Sequence, residues 1–102
     1  MARPGPTPTD GWVYILHNPA WPGHVKVGSA SDLKARVSVY QTSSPFRDFA
    51  LVAAVQVADR RAFERALHAD MRGHRVGTTE WFQVHPQDAK NILERLQHKE
   101  HA

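Results

Sequence analysis

Two short runs decide the fold: Gly11-Trp12-Val13-Tyr14-Ile15-Leu16-His17 and His24-Val25-Lys26-Val27-Gly28. Both are rich in β-branched and aromatic residues, and each reads as a strand. Between them lies Asn18-Pro19-Ala20-Trp21-Pro22-Gly23. Two prolines and a glycine make that segment a loop, and its length suits an antiparallel hairpin that Gly28 ends. Side chains alternate faces along a strand, so Tyr14 opposes Val13 and Ile15, and Lys26 opposes Val25 and Val27. A register that puts Tyr14 and Lys26 on one face is the natural expectation.

Downstream of the hairpin the pattern changes period. Leu33, Val37 and Tyr40 fall at i, i+4 and i+7, which predicts a helix over 32–41 with Ser31 as its N-cap. Thr42-Ser43-Ser44-Pro45 ends it. Phe49 to Val57 is almost continuously apolar and reads as a strand buried on both sides. Asp59 caps a second helix from Arg60 to about Arg72, striped by Phe63, Ala66 and Leu67, with Gly73 as its stop. Thr79 to Val84 reads as a short extended segment, with Trp81 and Phe82 in the core. Pro86 then suits the first turn of a last helix that buries Ala89, Ile92, Leu93 and Leu96. The expected fold class is α+β: a small three-stranded antiparallel sheet flanked by helices, in the order β-β-α-β-α-α. Residues 1–10 read as a flexible, proline-rich leader, 11–97 as a single domain, and 98–102 as a polar, fraying tail.

Composition narrows the chemistry. The chain has 102 residues, 41% hydrophobic and 23% charged, as an ordinary globular domain does. It has no cysteine, which excludes thiolate zinc sites and thiol nucleophiles. No apolar run approaches a membrane span or a secretory signal, so the expected compartment is the cytoplasm. The formal charge is +3, with Arg60, Arg61, Arg65, Arg72 and Arg75 forming a basic band. Such a band suits phosphate positioning, and equally a solvated face.

The ordered set Val13-Tyr14-Ile15, Lys26-Val27-Gly28, Arg36, Ala62-Phe63-Glu64-Arg65-Ala66-Leu67-His68 and Glu80-Trp81-Phe82 resembles the GIY-YIG nuclease superfamily. The likeness is to its compact phage and bacterial branch and runs from about Gly11 to Val84. It implies a metal-dependent endonuclease that hydrolyses DNA phosphodiester bonds with Mg²⁺ or Mn²⁺. Tyr14 matches the tyrosine of the first motif, and Arg36 the arginine whose planar fork pairs with phosphate oxygens. Tyr40 is one turn further along the same helix face. Glu64 matches the metal-binding glutamate, with His68 a turn later as a second candidate ligand. Arg60, Arg61 and Arg65 would contact nucleic acid. Lys26 stands where the second motif has tyrosine; beside Tyr14 it would lower the phenol's pKa. Ser29 stands where a basic residue is frequent, and the family's downstream asparagine has no match, Asn91 being poorly placed. These departures leave an alternative, a catalytically weak or inactive module that binds nucleic acid or protein. So small a domain also suits a partner subunit that supplies specificity.

Each residue has a plainer reading. Tyr14 can be a packed strand tyrosine, Lys26 an edge lysine, and Glu64 the partner of Arg60 or His68 at i−4 or i+4. Trp21, in the hairpin loop, can touch nucleic acid or cap a core.

Overall fold

The computed structural model describes residues 9–100. Strand β1 (Gly11–His17) and strand β2 (His24–Ala30) form the expected antiparallel hairpin. Helix α1 (Leu33–Ser43), strand β3 (Ala50–Val57) and helix α2 (Arg60–Asp70) follow. A 3₁₀ turn (Arg72–His74), strand β4 (Trp81–Gln83) and helix α3 (Pro86–Glu100) complete the described residues. The sheet has four strands in the order β3-β1-β2-β4, all antiparallel. The three-stranded expectation is corrected because Trp81–Gln83 is short but fully paired, through His24↔Gln83, Val25↔Phe82 and Lys26↔Trp81.

The sheet is packed on both faces. On one face Val13, Ile15, Val25, Val27 and Val55 meet Phe63 and Leu67 of α2 and Ala89, Leu93 and Leu96 of α3. On the other, Tyr14, Leu16 and Ala30 meet Leu33, Val37 and Tyr40 of α1. The alternation of Val13, Tyr14 and Ile15 is thus a division between two cores. Buried Asn18 accepts from Ala20 N (2.9 Å) and donates to Asp48 (3.0 Å), so the hairpin loop is anchored where it leaves β1.

Several boundaries shift for identifiable reasons. Asp32, not Ser31, caps α1, its carboxylate accepting from Ala35 N at 3.0 Å; a carboxylate also complements the helix dipole. Asp59 caps α2 as expected, accepting from Ala62 N at 3.1 Å. Gly73 does not stop α2, which ends at Asp70; it lies in the 3₁₀ turn. Gly28 does not end β2, which runs on to Ala30. Strand β3 is not buried on both sides. It is an edge strand in which only Val55 is buried, since β1 covers one edge and nothing described pairs with the other.

The expected leader and tail fall partly outside the described residues. Thr9 and Asp10 are tied down: Thr9 Oγ1 donates to Ala58 O, and Arg60 donates to Thr9 O and Asp10 O. His98 to Glu100 are helical. No helix among the described residues is long and apolar enough to cross a membrane.

Phe82 is fully buried on the shortest strand. Phe82→Ala is expected to cost about 3–5 kcal/mol in urea unfolding, while Gln83→Ala, exposed on the same strand, stays within about 0.5 kcal/mol of wild type.

Candidate active site

The pairing of β1 with β2 sets Tyr14 opposite Gly28. A Cβ on residue 28 would lie 2.5 Å from the Tyr14 hydroxyl oxygen and 2.7 Å from the ring carbon that bears it. Glycine is therefore needed here so that the Tyr14 ring can lie flat on the next strand, not to bend or end that strand. The ring is 1% exposed, and its hydroxyl is 3.3 Å from that of Tyr40. Tyr40 meets Tyr14 edge to face at 6.2 Å and leans on Phe49 at 5.4 Å.

Two cations border this tyrosine pair. Lys26 Nζ lies 5.7 Å from the Tyr40 ring centroid, a cation–π distance. Arg36 precedes Tyr40 by one turn of α1, and its Nη1 donates to Ser29 O at 3.3 Å. Interaction with the Tyr14 hydroxyl, more than with any other group, holds the guanidinium above its ordinary value. Burial pushes the Tyr14 phenol well above its usual value, helped by Tyr40 and opposed by Arg36. Lys26 does not lower it, as the sequence suggested, because its ammonium is committed to Glu80 Oε1 at 2.9 Å. Tyr14 is thus a neutral hydroxyl at physiological pH.

Glu64 and His68 arrive from the other side of β2. Glu64 Oε1 accepts from Ser29 Oγ at 2.5 Å, a charge-assisted length. Glu64 Oε2 lies 3.5 Å from His68 Nε2. That nitrogen is also 3.2 Å from Val27 O, and facing two oxygens it serves as donor. The His68 ring rests 5.1 Å from Phe82. The two sides meet at Glu80, the residue before β4, past which the edge of β2 opens. Its backbone oxygen accepts from Val27 N at 3.0 Å, and its carboxylate reaches Lys26. Glu64, His68 and Glu80 each present a ligand atom, all within 4.8 Å of one another. Burial, reinforced by the neighbouring Glu80 carboxylate, raises the Glu64 carboxyl above its usual range. Lys26 and Glu64 together hold Glu80 below its own despite partial burial.

The sequence candidates therefore separate into groups. Tyr14, Lys26, Arg36 and Tyr40 share the α1 face, and Glu64 with His68 joins them around the strand edge. Arg60 turns away to the Asp10 carbonyl. Arg61 and Arg65 are exposed on α2, and no described contact links them to the cleft. Asn91 is exposed on α3 and accepts from Gln87. Two participants had no role in the sequence reading. Glu80 is placed only by the pairing of β4 with β2, and Ser29, which stands where a basic residue is frequent, is the hydroxyl that orients Glu64.

Residues 11–97 match the sequence model of the T5orf172 domain. The chain belongs to the T5orf172 domain family. That family is nuclease-associated, so the general function of the chain is nucleic-acid-related. No curated protein and no solved structure matches the chain significantly. In this T5orf172 domain the matched span takes in both strands of the hairpin, Arg36, Glu64 and Glu80.

Two outcomes are expected of this geometry. Gly28→Ala destabilises by about 1–3 kcal/mol through overpacking, and a double-mutant cycle with Tyr14→Leu recovers much of the loss. Glu64, its carboxyl raised on folding, binds a proton more readily folded than unfolded. Folding stability therefore falls as pH rises through the interval that starts near the ordinary carboxyl value of 4.5. Glu64→Gln removes that dependence. Melting curves against pH should show wild type losing ground to the variant as pH climbs through the interval.

Proposed function

We propose that this domain is a GIY-YIG-type endonuclease that hydrolyses DNA phosphodiester bonds with Mg²⁺ or Mn²⁺. The observation that carries the reading is the meeting, across the open edge of β2, of the Arg36–Tyr14–Tyr40 group with the Glu64–Glu80 pair. Phosphodiester hydrolysis needs positive charge at the phosphoryl oxygens, a held water, and help for the leaving oxygen. Arg36 is fully ionised and exposed, with donors to spare for two phosphate oxygens. The neutral Tyr14 hydroxyl, backed by Tyr40, is suited to orienting water or phosphate by hydrogen bonds rather than to removing a proton as phenolate. Lys26 pairs with Glu80 and keeps it ionised.

The donor set fits a hard divalent cation, which wants carboxylate oxygen and keeps several waters. Glu64 and Glu80 would hold it, with His68 fixing the orientation of Glu64. Bound there, the ion would neutralise charge on the phosphoryl group and the leaving oxygen.

A second reading is a DNA- or protein-binding module with little or no activity. What favours it is that the Lys26 ammonium is spent on Glu80 and Tyr14 is held protonated, so neither is free to take a proton from water.

Incubation of the purified protein with plasmid DNA and Mg²⁺ or Mn²⁺ separates the two. Nicking or cleavage is expected, falling about 10²–10³-fold in Arg36→Ala and at least as far in Glu64→Ala, with melting transitions retained. Salt-dependent DNA binding without cleavage under any divalent metal would favour the binding module. Cleavage by Glu64→Ala at the wild-type rate would refute the assignment of the metal residue.

A further inference from the structure

The sheet face that carries Tyr14 and Lys26 continues beyond the cleft. Lys26 pairs with Trp81, and His24 with Gln83, so His24, Lys26 and Trp81 project from one face. At the outer end of that face lies a cavity of about 280 Å³ lined by Trp21, His24, Val76, Thr79 and Trp81. Trp21 comes from the β1–β2 loop and meets Trp81 edge to face, with centroids 5.3 Å apart and planes at 62°. It is nevertheless 51% exposed, and Val76 is 41% exposed. A tryptophan pinned by a second ring yet open to water is a preformed apolar surface with one side uncovered.

The walls are held in place. Thr79 Oγ1 donates to Val76 O (2.7 Å) and accepts from Trp81 N (3.1 Å). His24 Nδ1 donates to Pro22 O at 3.0 Å, which leaves Nε2 of the neutral ring as an acceptor at the rim. A flat ligand with apolar faces and a hydrogen-donating edge matches this combination, and a nucleobase has that form. Its phosphates have a cation on the same face as well: the exposed Arg36 guanidinium, which reaches the Tyr14 hydroxyl beyond the Lys26–Glu80 pair. Strands are about 4.8 Å apart, so Trp81 sits about 10 Å from the strand bearing Tyr14, near three stacked nucleotides at about 3.4 Å each. A cationic track leading to aromatic side chains is the usual arrangement for binding single strands. In a duplex each base is covered by its neighbours; only an unstacked base offers its face.

We propose that the Trp21–Trp81 pocket stacks an unpaired nucleobase of the DNA strand that crosses Arg36. The preferred substrate is then DNA with at least one unstacked base beside the cleft. This rests on reading the cleft as a DNA site, but the test needs no cleavage.

Binding is measured without metal, by anisotropy of an end-labelled oligodeoxythymidine and of a strand of equal length and charge made of abasic sites. Wild type is expected to prefer the base-bearing strand by about 5- to 150-fold. Trp21→Ala should lose that preference while keeping its affinity for the abasic strand and the salt dependence of binding. Trp21→Phe keeps an aromatic face and should retain most of the preference, which separates stacking from a folding defect. Equal affinity of wild type for both strands overturns the proposal, as does a preference that survives in Trp21→Ala, or binding to neither strand. A protein that shows the Trp21-dependent preference but never cuts DNA leaves this inference standing and removes the nuclease reading; one that cuts without the preference does the reverse.

Discussion

The Tyr14 ring lying on Gly28 is the contact on which the rest of the cleft depends. It joins the two strands of the hairpin at a single register, because only at residue 28 does β2 lack a side chain under the ring. That register puts Lys26 on the face of Tyr14 and turns Ser29 to the other. It also aims the Tyr14 hydroxyl at Tyr40, whose helix delivers Arg36 one turn earlier. A one-residue slip would exchange the two faces, sending Tyr14 into the aliphatic core and the valines beneath α1.

Charge around the cleft is arranged in a chain rather than a patch. Lys26 neutralises Glu80, Glu80 crowds Glu64, and Ser29 and His68 hold Glu64 in place. Burial and the neighbouring Glu80 carboxylate disfavour ionisation of Glu64, which works against folding at neutral pH, while Lys26 and Glu64 keep Glu80 ionised. Keeping the Glu64 carboxylate there at some cost to stability is what the proposed divalent-cation site would require. The same reasoning applies to Trp21, whose exposed ring contributes less to folding than it would if covered.

Much of this was readable from the residue order, and the failures have physical causes. Hairpin, helices and apolar faces follow from periodicity and breakers, and Asp59 from ordinary capping chemistry. Ser31 and Asp32 are both good caps, and only the carboxylate's reach to Ala35 N decides between them. The long apolar run of β3 suggested full burial, but burial depends on neighbours, and β3 has one only along β1. Glu80 went without a role because a three-residue strand carries almost no periodicity. The expectation that Lys26 would acidify Tyr14 assumed a free ammonium; Glu80, 54 residues away in the chain, had already claimed it.

By itself the sequence determined the α+β class, the faces of the strands, and which residues share a face of α1 and of α2. These are local matters, settled by spacing along an element. Tertiary structure alone decided that β4 pairs with β2 no further than Glu80, the residue before it, which opens a strand edge where the two groups of side chains meet. It also decided that Tyr14 stays protonated and that Trp21 finds Trp81. Each of these depends on distances between residues far apart in the chain, and on the water excluded when they come together, which no run of neighbouring residues encodes.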